Sequence, residues 1–149
     1  MNLTITPGHP LEGQAALPGD KSLSHRAALL AGMAHGESII HNFLVSGVSE
    51  AMLGALTALG VAWELDGTTL HVFGKGLAAW KPPTAPIDCG NSATTLRLLA
   101  GALASAGIPA VLDGSQGLRS RPMARIVEPL RQMGAVLESA PGGCAPLRL

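Results

Sequence analysis

The order of elements legible in residues 18–80 recurs in residues 81–149, so the chain is expected to fold as two copies of one unit. In the first copy "GESIIHNF" has the β-branched density of a strand. "SGVSEAMLGALTALG" then spaces Met52, Leu53, Leu56 and Leu59 along one helix face, with Gly60 as the stop. "VAWEL", "DG" and "TTLHVFG" read as a hairpin. With "SLSHRAALLAGMAHG" in front, the order is strand, helix, strand, helix, hairpin.

The second copy repeats it. "APIDCG" is a strand, "NSATTLRLLAGALASAG" a helix, "IPAVLDG" a strand, "RPMARIVEPLRQMG" a helix, and "AVLES" with "APLRL" a hairpin around "APGGC". A shift of 71 residues lays Gly19 on Gly90, Arg26 on Arg97, Ala31 on Ala102 and Gly36 on Gly107. Ala, Leu and Gly are abundant here and coincide cheaply, so the agreement in element order carries more weight than these identities. Leu59-Gly60-Val61 also matches Met133-Gly134-Ala135 after a small insertion. The prolines of "KGLAAWKPPTAP" place a connection at residues 74–86. Pro129 removes a backbone donor inside the last helix and predicts a bend. Helices alternating with strands give an α/β (α+β) class.

At 149 residues the chain needs no staples, since folding at that size buries roughly 68–70% of the unfolded surface. Ten basic and ten acidic side chains leave no global field to draw in nucleic acid or an acidic membrane. Any anion must be caught locally. With no Tyr, two Phe and two Trp, the chain also lacks platforms for stacking bases. No apolar run is long enough to span a membrane and no secretory signal is apparent, which makes the cytoplasm the expected location. Cys89 and Cys144 are read as free thiols, and five scattered histidines show no ligand spacing, so no metal site is expected.

Charge gathers at three places. In "PGDKSLSHR" Gly19 permits a tight turn, Ser22 or Ser24 can cap the first amides, and Lys21 stands where a helix N-terminus already favours an anion. Arg26 follows about one turn on. A Walker-type phosphate loop is excluded, because Asp20 replaces its glycine before the lysine and the upstream glycine is missing. "DCGNSATTLR" repeats the arrangement with Gly90, Asn91, Ser92, Thr94 and Arg97. In "GLRSRPMAR" Arg119, Arg121 and Arg125 would repel one another unless an anion or carboxylate lies between them, and Pro122 suits a first helical position. The plain alternatives are ordinary caps, a solvated basic edge, and an Arg97 that pairs across the core. Cys144 in "PGGC" has no base beside it and reads as a loop thiol.

"PGDKSLSHR", "DCGNSATTLRLL" and "RSRPMARIVEPLRQMGA", in this order and at these separations, closely resemble the N-terminal part of the 5-enolpyruvylshikimate-3-phosphate synthase family. The likeness covers nearly the whole chain. It implies an inside-out α/β barrel of six βαβαββ units in two domains, of which this chain holds about two: residues 18–80 and 81–149. Residues 1–17 then resemble a strand that pairs with the second domain, and that domain and the third unit are expected to be absent.

The implied reaction is a transferase step of the shikimate pathway in aromatic amino acid biosynthesis. The enolpyruvyl group of phosphoenolpyruvate passes to the 5-hydroxyl of shikimate 3-phosphate, with release of phosphate and without a cofactor. Lys21, Ser22 and Arg26 match the family's shikimate 3-phosphate positions, with Lys21 also reaching phosphoenolpyruvate. Asn91, Ala93, Thr94 and Arg121 match its phosphoenolpyruvate positions, and Lys21 and Arg121 supply the electrostatic term. Proton-transfer groups come largely from the second domain, so the catalytic set is incomplete here and turnover is expected only with a complementary C-terminal fragment. Many members have glycine where Ala93 stands, and its extra methyl is expected to project toward the phosphate pocket, making glyphosate a weak inhibitor at most.

Two other readings stand beside this one. The related UDP-N-acetylglucosamine enolpyruvyl transferase shares the architecture, but its first motif lacks the Ser-x-Ser-His-Arg run and its reactive cysteine precedes the Arg-Pro pair. Here Cys144 follows Pro122. The other reading is a non-catalytic fragment that binds an anion or a partner chain.

Overall fold

Helix α1 (Lys21–Met33) opens the first copy in the computed structural model, which describes residues 3, 4, 8, 10 and 12–149. Strand β1 (His35–Ile40) and helix α2 (Gly47–Ala58) follow. The hairpin is β2 (Ala62–Asp66) and β3 (Thr69–Lys75), with its two-residue turn at Gly67-Thr68, one place later than the expected "DG". Gly67 has φ 56°, a left-handed conformation that favours glycine. All four apolar positions predicted for α2 are buried, Leu56 and Leu59 completely, so the helical spacing is a core face.

The second copy runs β4 (Ile87–Asp88), α3 (Ala93–Ala106), β5 (Val111–Asp113), α4 (Gln116–Arg119), α5 (Ala124–Gln132), β6 (Glu138–Ala140) and β7 (Cys144–Arg148). Gly107, at φ 64°, ends α3 in the left-handed conformation common at helix C-termini. The one-turn α4 was not expected, because it holds Gly117, follows Gly114 closely and shows no apolar period. Pro122 does not open a helix: α5 starts at Ala124 with Met123 at its cap. Pro129 lies inside α5, which ends three residues later.

The two sheets share one topology. In the first the order is β1-β3-β2, all antiparallel, and in the second β5-β7-β6 repeats that pattern with β4 added parallel to β5. The strand expected at the head of the first copy is not found in residues 12–20, of which 12–18 are exposed. Part of the 1–17 strand expectation, residues 1, 2, 5–7, 9 and 11, falls outside the described residues.

One apolar cluster spans both copies, from Phe43, Met52 and Leu56 to Leu96, Leu103 and Met123. The connection at residues 74–86 contributes to it, since Trp80 is buried and its indole Nε1–H donates to Gly32 O at 3.0 Å. A Cβ on Gly32 would stand 2.8 Å from Leu56 Cδ2, so the missing side chain lets α1 lie close to α2. The α1, α2 and α3 helices pack on one another. Their N-termini converge on one side, which positions the site. The architecture is α/β (α+β), and no described helix is long and apolar enough to cross a membrane.

Candidate anion-binding site

The first mouth differs in detail from its expected form. Because α1 begins at Lys21, Ser22 and Ser24 lie inside the helix, and Asp20 is the cap: its Oδ1 accepts the Leu23 N–H at 2.8 Å. Ser24 is buried instead, with its Oγ accepting from Leu44 N at 3.0 Å. Lys21, Ser22 and Arg26 are exposed, and Arg26 Nη1 donates to Ser22 O at 3.0 Å. Lys21 and Ser22 thus occupy the first turn, where free N–H groups and the helix dipole add to the ammonium.

At the second mouth Gly90 turns at φ 55°, and Asp88 Oδ1 accepts its N–H at 2.8 Å. Ser92 caps α3, accepting the Thr95 N–H at 3.2 Å. Asn91 Oδ1 accepts from Arg121 Nη2 at 3.2 Å and from Ser115 Oγ at 3.4 Å. Asn91 and Arg121, thirty residues apart in sequence, are therefore brought together. Thr94 is half-buried in the first turn of α3. Ala93 is the first residue of that helix and only 6% exposed, so most of its methyl is covered by protein rather than presented to open space.

The expected arginine trio regroups. Arg119 is tied to Asp113 by Nε at 2.8 Å and Nη2 at 2.5 Å, the carboxylate that like charges required. That hydrogen-bonded pairing holds the Asp113 carboxyl below its ordinary value despite some burial, and raises the Arg119 guanidinium. Arg97 takes its place in the trio. Partial burial, then the charges of Arg125 and Arg121, hold the Arg97 guanidinium below its ordinary value. Its Nη2 donates to Pro122 O at 3.3 Å, while its buried Nε has no acceptor among the described residues. Arg97 thus lies within reach of the charges of Arg125 and Arg121, and Arg121 also bonds Asn91, which gathers positive charge locally in a chain of zero formal charge.

Both mouths meet through a residue that sequence reasoning passed over. His25 is fully buried, with Nδ1 2.7 Å from Lys21 O and Nε2 3.0 Å from Val48 O. Its Nε2 is also 3.3 Å from Ser92 Oγ, which accepts from Thr95 Oγ1–H at 2.9 Å. The only sequence signal was its place four residues after Lys21, one helical turn on. As one of five unclustered histidines it could not be told apart.

Cys89 is buried and its thiol is pushed up to about 12, first by burial and then by Asp88 and Asp113, so it stays protonated and inert. Cys89 and Cys144 are both free. A cavity of about 350 Å³ lined by Asp88, Gly90, Asp113, Ser115 and Arg119 lies beside the second mouth.

Tandem α/β units of one sheet topology, with the starts of their helices brought side by side, define the class of fold. The sequence places it more narrowly. The family model of EPSP synthase (3-phosphoshikimate 1-carboxyvinyltransferase) matches residues 5–149, and the chain belongs to that family. It is 51% identical over 149 residues to the 3-phosphoshikimate 1-carboxyvinyltransferase of Roseiflexus sp. (strain RS-1), covering 99% of this chain and 34% of that protein. With the Geobacter metallireducens protein of the same name it shares 46% identity over 147 residues, covering 98% and 34%. The solved EPSP synthase from Acinetobacter baumannii superimposes with a TM-score of 0.87 at 34% identity, over 92% of this chain and 32% of that one. The chain thus spans about a third of the length of the relatives it matches.

Proposed function

We propose that this chain supplies part of the substrate grip for transfer of the enolpyruvyl group of phosphoenolpyruvate to the 5-hydroxyl of shikimate 3-phosphate. The observation that carries the reading is the link Lys21–His25–Ser92, which sets the Lys21 mouth beside the Asn91–Arg121 mouth. Lys21, Ser22 and Arg26 hold shikimate 3-phosphate. Lys21, Asn91, Ala93, Thr94 and Arg121 hold phosphoenolpyruvate.

Two polyanions side by side repel, and the cationic groups with the helix-terminal N–H donors offset that work while fixing the approach geometry. Protonation of the methylene carbon of phosphoenolpyruvate makes the neighbouring carbon electrophilic. Attack by the 5-hydroxyl there, with loss of its proton, gives a tetrahedral intermediate, and loss of a proton from its methyl group as phosphate leaves restores the double bond of the enolpyruvyl ether. The proton-transfer groups belong to the rest of the protein, so this chain alone is inactive and works in the cytoplasm with a complementary C-terminal part. No cofactor enters.

Reconstitution tests this. Phosphate release is expected only when the chain is mixed with the remaining two-thirds of a relative and both substrates, and release by the chain alone, or by neither arrangement, counts against it. In the reconstituted enzyme Arg121→Ala should weaken phosphoenolpyruvate about tenfold to a hundredfold, the worth of a charged hydrogen bond of roughly 1.5–3 kcal/mol. Unchanged affinity defeats that assignment. Glyphosate competes for the same grip, and only the small part of the Ala93 methyl left uncovered can narrow it for a ligand longer than phosphoenolpyruvate. Ala93→Gly should raise glyphosate sensitivity, and unaltered inhibition defeats the steric argument.

A further inference from the structure

Nothing in the family likeness accounts for a completely buried imidazole at the point where three helices begin. His25 reaches the first residue of α1 through Lys21 O at 2.7 Å, the second residue of α2 through Val48 O at 3.0 Å, and the cap of α3 through Ser92 Oγ at 3.3 Å. With a proton on Nδ1 alone, the ring donates to Lys21 O and accepts from the Ser92 hydroxyl, whose lone pairs take the Thr95 N–H and Oγ1–H. With both nitrogens protonated, Nε2–H donates to Val48 O instead. In the first state the ring ties the backbone of Lys21 to Ser92, the residue between Asn91 and Ala93, and in the second it ties Lys21 to Val48 at the start of α2.

A buried side chain of this shape would fill space equally well as leucine. The ring nitrogens add direction: both are matched with main-chain or capping oxygens, so the ring cannot turn or slide without breaking a buried hydrogen bond. We infer that His25 is a positioning residue that fixes the distance and angle between the Lys21 and Asn91–Arg121 anion-binding mouths. It touches no substrate. The inference rests on the proposed function only for what the mouths hold; the mechanical link between them is independent of that.

The test uses the isotope-labelled 149-residue chain and two variants. His25→Leu keeps approximate volume and removes both nitrogens, while the His25→Gln amide can reach the place of Nε2. In the unaltered chain a His25 ring N–H that exchanges slowly with solvent is expected, and exchange as fast as that of the exposed His41 overturns the inference. In His25→Leu the backbone amide resonances of both Lys21 and Asn91 should move, and phosphoenolpyruvate affinity should fall about tenfold. His25→Gln should restore the Asn91 resonance and most of that affinity. Asn91 unmoved in His25→Leu, or no recovery in His25→Gln, overturns the positioning role.

Should His25→Leu fail to fold, as thermal melting would show, ring-proton exchange and the Gln variant still decide. If the resonances behave as expected but the unaltered chain does not bind phosphoenolpyruvate, or Arg121→Ala binds it equally well, the proposed function fails and the link between the mouths stands.

Discussion

The two helix mouths use the same residue types, yet their glycines are required for different reasons. At Gly19 the φ angle is not positive; a Cβ there would run into Asn42 O and lie 2.8 Å from Leu44 N, so the requirement is close approach of two backbones. Gly90 has φ 55° and open space, with only Ala51 Cβ at 3.8 Å, so the requirement is conformational. The caps differ too. Asp20 caps α1 and Ser92 caps α3, one place later under the 71-residue shift. Arg26 is therefore the sixth residue of its helix and Arg97 the fifth. One residue is about 100° around an α-helix. That rotation leaves Arg26 exposed over its own first turn and carries Arg97 toward Pro122, Arg121 and Arg125. A repeat preserves element order, but the register of a cap decides which way the charges face.

The glycines offer the largest way to break this comparison. Gly19→Ala should cost about 3 kcal/mol, because backbone must move to admit the methyl. Gly90→Ala should cost about 1 kcal/mol for the left-handed conformation alone. Equal losses in denaturant unfolding would mean that the mouths are built alike after all.

The caps come next. Ser92→Ala should cost about 2 kcal/mol, at the top of the N-cap range, since Ser92 is 1% exposed and also serves His25 and Thr95. Asp20→Ala, at an exposed mouth, should cost about 1 kcal/mol. A larger loss for Asp20 in thermal or denaturant melts would reverse the assignment of the buried network to the second mouth.

The surface ion pairs are the smallest difference. The Asp113 carboxyl is lowered chiefly by its hydrogen bond from Arg119, so the pair's stabilisation is present in full above the unfolded carboxylate range near pH ~3.9 and fades as pH falls through the lower folded value. Asp113→Asn should therefore lower the melting temperature at neutral pH and leave it unchanged in strong acid. Glu37→Gln, which breaks the first sheet's pair with His71, should change stability by less than about 0.5 kcal/mol. A pH-independent loss on Asp113→Asn would show that the carboxylate acts through packing rather than charge.

Much of this was legible in the sequence because periodicity and breakers act locally. Met52, Leu53, Leu56 and Leu59 marked the buried face of α2, and Gly107 marked the end of α3. The pairing of Asn91 with Arg121 was anticipated only through the family likeness, and the structure places them 3.2 Å apart. What was missed depends on neighbours far along the chain. Arg119 looked like part of an anion trap until Asp113 claimed it, and Arg97 looked like a core partner until its face was known. His25 belonged to the Ser-x-Ser-His-Arg run, but nothing in that run showed its role, since its partners Val48 and Ser92 lie 23 and 67 residues away.

The sequence by itself determined the alternation of helices and strands, the doubled unit, and the two basic mouths, because each follows from residues within one or two turns of one another. Only the tertiary structure decided which arginines stand free, which glycine yields to crowding, and that one imidazole joins three helix starts. Those outcomes depend on side-chain direction and on contacts across the core, and a change of one residue in cap register rotates them by more than a quarter turn.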